Sequence, residues 1–220
     1  MTQGALGPAV AVVLGASLVA ASVTAVGAAG GLVWQGAPLL GLCAVLAFAV
    51  QWVAWIPASI ARTERFYDLT GSLTYLGVLA LALTAGGAQR PLEPRHWLVA
   101  TLVAVWAVRL GAFLVRRIHE EGKDGRFDAM KQHPLRFLVP WTLQGLWVFL
   151  TSAAVLIVLT RAAAGGPLDL VDLLGGALWA LGFGIEVVAD RQKAAFRARP
   201  ESRGRFIDEG LWARARHPNY

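Results

Sequence analysis

Charge is what this sequence has least of. No residue from 1 to 61 carries a charged side chain, and Asp, Glu, Lys and Arg together make up 15% of the 220 residues. A soluble domain carries about a quarter, so the composition excludes an ordinary water-soluble globule. Cysteine is nearly absent. Cys43 stands alone, so neither an internal disulfide nor a thiolate metal site can be built, and in its apolar block it reads as a small packing residue. The four histidines, His96, His119, His133 and His217, lie far apart on unlike segments, which argues against a metal centre. Nor is there a G-x-G-x-x-G turn, a P-loop or an H-E-x-x-H helix.

What is there is apolar and arranged in blocks. Hydrophobic residues are 56% of the chain and mean hydropathy is +0.55. About 18 uncharged residues in a row suffice for a membrane-helix candidate. Six stretches are candidates, at about 8–29, 36–58, 70–88, 96–117, 138–160 and 168–190; four meet the test outright, whereas charges interrupt the fourth, with Arg109 inside it, and the sixth, with Glu186 inside it. The first has no Lys or Arg ahead of it and exceeds a normal signal-peptide core, which favours a retained helix. The expectation is an all-α polytopic membrane bundle of six transmembrane helices. Gly36-Ala37-Pro38 is the expected turn between the first two. Pro57 is expected to end or bend the second helix, and Pro134 and Pro140 to bracket the entry to the fifth.

The positive charges fall on alternate loops. Of twenty Lys and Arg, sixteen lie in the loop near 61–69, the loop 116–137 and the tail 191–220, whereas Arg90, Arg95 and Arg161 lie on the other side. Lys and Arg concentrate in cytoplasmic loops, so the N-terminus and the basic tail are expected in the cytoplasm. This topological reading accounts for the net charge of +6 and leaves nucleic acid the weakest partner.

Ionisable groups inside a membrane segment are costly and therefore functional candidates. Arg109 and Arg116 are two turns apart on one helix face. Glu186 and Asp190, spaced i, i+4, share a face of the sixth helix, with Arg191 and Lys193 following at once. Salt bridging and ligand binding both remain open for them, as does snorkelling for Arg109. In "RFYDLTGSLTYL" (65–76), Asp68 or Thr70 is an N-cap candidate. Asp68 and Tyr75 are also site candidates, and Tyr67 is an expected interfacial anchor.

The tail "DRQKAAFRARPESRGRFIDEGLWARARHPNY" resembles the C-terminal motif of the DUF1295 family, part of the steroid 5-alpha-reductase-like membrane proteins. The matching positions are Asp190, Arg197, Gly210, Leu211, Trp212, Arg216, His217, Pro218, Asn219 and Tyr220. "YDLTGSLTY", "RLGAFLVRRIHEEGKDGRF" and "PWTLQGLWVF" are similar to that family too, so the resemblance spans about 66–220. It divides the chain into an N-terminal hairpin, 1–65, and a reductase-like region, 66–220, within one domain. The resemblance implies an NADPH-dependent reductase of a conjugated carbon–carbon double bond in a steroid, isoprenoid or acyl substrate. Cofactor contacts would fall to Arg116, Asp124, Arg126, Glu186, Asp190, Arg191, Arg197, Arg216, His217, Asn219 and Tyr220. Tyr75, Asp68 or Arg109 would stabilise charge on the substrate oxygen. The pattern also implies continuation past Tyr220 into one or more further helices. Two alternatives stand beside it. Arg-His-Pro-x-Tyr also resembles the S-adenosylmethionine-binding motif of isoprenylcysteine carboxyl methyltransferases, and a basic tail can serve simply to hold anionic lipid.

Overall fold

The computed structural model describes residues 6–163, 165–202 and 204–219, apart from the side chains of Leu6, Glu120 and Glu121. Tyr220, an expected cofactor contact, lies outside the described residues. The helices are α1 (Leu6–Gly27), α2 (Leu39–Ala61), α3 (Tyr67–Gly87), α4 (Pro94–Glu121), α5 (Pro134–Thr160) and α6 (Leu170–Ala198). All six are long and apolar enough to cross a membrane. The chain is an all-α, multi-pass integral membrane protein.

Contacts divide it into two compact units, 1–167 with α1 to α5 and 168–220 with α6 and the tail. In the first, α5 packs against α1, α2 and α3, and α4 lies along α3. The core between them holds Cys43, Ala47, Phe48, Val78, Ala82, Val148, Phe149 and Leu156. Small residues set the spacing, as expected where lipid offers no hydrophobic drive between helices. A Cβ on Gly145 would stand 3.2 Å from the Ala47 carbonyl oxygen, so α5 and α2 approach backbone to backbone. A Cβ on Gly111 would stand 2.7 Å from both Cβ and Oγ of Ser72 on α3. Gly→Ala inside a helix ordinarily gains up to about 1 kcal/mol. Gly111→Ala is instead expected to destabilise by about 2 kcal/mol through overpacking, read as a lower melting temperature in detergent and recovered by adding Ser72→Gly.

Helix ends follow local chemistry. Pro94 and Pro134 open α4 and α5, where a missing N–H costs nothing. Asp68 lies in the first turn of α3, near the positive end of the helix dipole, but neither it nor Thr70 is the cap; Phe66 is. Pro57 and Pro140 lie inside α2 and α5, which continue past them. Between α1 and α2 a short hairpin pairs Val33 with Pro38 and Trp34 with Ala37. Its turn residues Gln35 and Gly36 have φ of 50° and 83°, the positive values that a tight two-residue hairpin turn requires. At that same end Arg90 donates from Nε to the Arg161 carbonyl (2.9 Å) and from Nη2 to Leu159 (3.1 Å), closing the last carbonyls of α5.

Candidate functional site

At the opposite, basic end of the five-helix unit, the loop 62–66 meets the segment 122–133. An aromatic cluster joins them. Phe127, Phe137 and Trp141 are buried, and Phe66, Tyr67 and Trp55 pack against them. The Tyr67 phenol donates to the Pro140 carbonyl at 2.9 Å, with its ring 4.9 Å from Phe127 and 5.1 Å from Trp141. Tyr67 is therefore a packed strut of this cluster, where an interfacial anchor was expected.

Glu64, in the same loop as Phe66, is 3% exposed. One carboxylate oxygen accepts the Asp124 backbone N–H at 2.8 Å, and the other accepts the Lys131 ammonium at 2.6 Å. Lys131 also reaches Asp128 at 3.1 Å. Burial alone would lower the Lys131 pKa, but the hydrogen bonds to Glu64 and Asp128 outweigh it and hold the group above the ordinary lysine value. Asp124 caps the following turn, its Oδ1 accepting the Arg126 N–H at 3.0 Å, and Arg126 Nε donates to the same carboxylate. That bonding to Arg126 holds the Asp124 carboxyl below its usual range despite partial burial. Asp124 and Arg126 are thus brought together, each largely engaged by the other.

Asp68 pairs with Arg117 at 3.2 Å, from α3 to α4. Arg117 Nε is buried without a hydrogen-bond partner among the described residues, whereas its neighbour Arg116 is exposed. Arg109 is half-buried, its guanidinium 5.4 Å from the Phe113 ring centre. Tyr75 sits edge-on to Trp106 at 5.0 Å with its phenol 2.6 Å from Thr151 Oγ1. Thr151 donates to the Trp147 carbonyl at 2.7 Å, so the Tyr75 hydroxyl is the donor of that pair and its one hydrogen is spent there. Three residues that sequence reading missed belong to this region: Glu64, Arg117 and Lys131.

In the second unit, α6 runs to Ala198, so Arg191, Lys193 and Arg197 are helical rather than part of an extended tail. The tail folds back on this last stretch of helix. Leu211 N–H donates to Gln192 Oε1 (2.9 Å), and Trp212 Nε1 donates to the Ala189 carbonyl (2.9 Å) under a Lys193 ammonium 4.6 Å above its ring. Gly210 makes the turn with φ of 60°, and a Cβ there would stand 2.5 Å from Gln192 Nε2. These anchors bring Asn219 to Asp190. Asn219 Nδ2 donates to Asp190 Oδ1 at 3.0 Å, and Asp190 is 4% exposed. Asn219 Oδ1 is buried with no partner among the described residues. Glu186 is half-buried one turn before Asp190, while Arg191, Arg197, Arg216 and His217 are exposed.

No match emerges from comparison with curated proteins or with solved structures. A family profile described as "Protein of unknown function (DUF1295)" matches residues 54–220. That range takes in the Glu64 loop, the Asp68–Arg117 pair, the aromatic cluster and the whole folded tail. It covers well over half of the sequence: the chain is a multi-pass membrane protein that belongs to the DUF1295 family.

Proposed function

We propose that this protein is an integral membrane reductase that takes NADPH from the cytoplasmic side and reduces a carbon–carbon double bond conjugated to a carbonyl in a lipid-like substrate. The observation that carries the reading is Asn219, whose Nδ2 is used on Asp190 while its buried Oδ1 has no partner among the described residues. An unmet buried acceptor costs about 1–3 kcal/mol, and a ligand N–H or O–H removes that cost. A carboxamide N–H or a ribose hydroxyl is such a donor, so the residues fit a nicotinamide nucleotide. Arg216, exposed three residues earlier, suits a phosphate, which a guanidinium can grip with two parallel hydrogen bonds. Arg191 and Arg197, exposed on the last turns of α6, are further grips of the same kind.

When bound, NADPH supplies the hydride. The protein's part is to hold the reactants, exclude water and stabilise negative charge on the substrate oxygen. Tyr75, Asp68 and Arg109 are the candidates for that last task. Arg117 joins them, because a buried N–H without a partner is a donor that needs no reorganisation to meet an oxyanion. Tyr75 serves only if it leaves Thr151.

The reading is tested on detergent-purified protein. At about 100 times its Kd, NADPH is expected to add about 2.7 kcal/mol of stability, visible as a raised melting temperature, and S-adenosylmethionine to add none. Stabilisation by S-adenosylmethionine alone transfers the assignment to methyl transfer, and stabilisation by neither, together with tight binding to anionic liposomes, leaves the lipid-association reading. Arg216→Ala is expected to weaken NADPH about tenfold more than NADH if it holds the 2′-phosphate. Equal losses place it on the shared pyrophosphate.

A further inference from the structure

The loop between α2 and α3 borders a cleft of about 540 Å³ whose lining includes Arg62, Glu64, Arg65, Phe66, Lys123 and Lys131. That volume is in the range of small-ligand sites. Among the described residues four cations face one acid, and the acid is already answered, because Glu64 is held by Lys131 and by the Asp124 N–H. Lys123 is paired with Asp128 at 2.8 Å in an exposed contact, the kind that solvent largely screens. Arg62 and Arg65 are different. Among the described residues no carboxylate pairs with either. Arg65 Nε donates to the Gly122 carbonyl at 3.2 Å, which steadies the side chain and leaves its terminal nitrogens for another acceptor.

The backbone points the same way. Arg62 ends α2 in the left-handed region, φ 49° and ψ 47°, a position where glycine is the usual residue. A bulky side chain there carries a steric cost, and such outliers mark sites where a side chain is needed in place. The cleft lies just past the last residue of α2 and just before the first turn of α3, at the ends of two helices long and apolar enough to cross a membrane, where the headgroups of a bilayer spanned by them would lie.

We propose that this cleft binds a phosphate-bearing anion, gripped by Arg62 and Arg65, either the headgroup of an acidic lipid or a soluble phosphate. The proposal does not rest on the reductase reading, since every described lining residue belongs to the five-helix unit.

Two arms separate the sources. Phosphatidylglycerol in phosphatidylcholine nanodiscs supplies lipid-borne phosphate, and inorganic phosphate added to protein in neutral detergent supplies the soluble form. In at least one arm the melting temperature is expected to rise to saturation. The pair Arg62→Ala, Arg65→Ala is expected to weaken that apparent affinity roughly 30-fold. The charge-matched pair Arg136→Ala, Arg205→Ala should change it by less than about threefold. A response to lipid alone assigns a headgroup site, and a response in both arms shows that phosphate suffices. No response of the wild-type protein in either arm, or equal losses in the two double variants, overturns the proposal. Should the alanine pair not fold, Arg62→Lys with Arg65→Lys keeps the charge and removes the planar fork. Its expected loss is roughly fivefold, and unchanged affinity overturns the two-arginine grip.

Discussion

Glu64→Ala is expected to lower stability by about 3 kcal/mol, more than the removal of any exposed charge on this protein. Its side chain is 2% exposed and that of Lys131 is 11% exposed, so the substitution leaves an ammonium in a poorly hydrated place with only Asp128 as partner among the described residues. It also strips the Asp124 backbone N–H of its acceptor, a further loss of about 1 kcal/mol or more. Glu64→Gln keeps an acceptor for that N–H and removes only the charge, so it should fall between wild type and alanine. The decisive comparison adds Lys131→Met. Removing both charges takes away an ammonium left with a half-exposed partner, and the double variant Glu64→Gln, Lys131→Met should be more stable than Glu64→Gln alone. Unfolding in detergent measures wild type, the two Glu64 variants, Lys131→Met alone and the double variant. If the double variant is instead as unstable as the sum of the singles, the pair is not coupled. The cost would then lie in the packing around the Glu64 side chain.

That Glu64 matters was not legible in the sequence. It is one acid in the short basic stretch "RTERF", which reads as a solvated loop, and its burial is decided by Lys131, 67 residues away. The spans themselves were legible, because a bilayer demands about 20 apolar residues and nothing else in the chain mimics that. Hydropathy nevertheless reports where the hydrocarbon ends and not where the helix ends. Thus α4 continues through the charged turn after Arg116, and α6 continues through Arg191 to Ala198. The same limit hid Arg117. Adjacent arginines look alike in a sequence, and only the packing of α4 on α3 selects the second of them for Asp68. Tyr67 and Tyr75 illustrate the converse. Both were visible as polar aromatics on α3, but whether each phenol was free or already bonded depended on α5, where Pro140 and Thr151 receive them.

Asp190→Ala tests whether the folded tail is a binding element or only a structural one. Asp190 is buried and accepts from Asn219 Nδ2, and a hydrogen bond to a charged group is worth about 1.5–3 kcal/mol. Without it the Asn219 amide would have neither atom partnered among the described residues, so the last residues should leave α6. Amide hydrogens from 214 to 219 are expected to exchange about tenfold faster or more. Residues 205–212 should be unaffected, because Leu211 and Trp212 remain tied to Gln192 and Ala189. Gly210→Val reverses the pattern. Its Cβ would strike Gln192 and its φ of 60° disfavours any β-branched residue, so the earlier anchors go first. NADPH affinity then separates the two roles. If Asp190 and Asn219 hold the cofactor, Asp190→Ala loses affinity at least about tenfold, and Asn219→Ala does the same while sparing the rest of the tail. Loosening of 214–219 with unchanged NADPH affinity would make the pair a clasp and move the nucleotide contacts elsewhere. A loss of affinity that follows exchange in 205–212, and not in 214–219, would place them on the Gly-Leu-Trp turn.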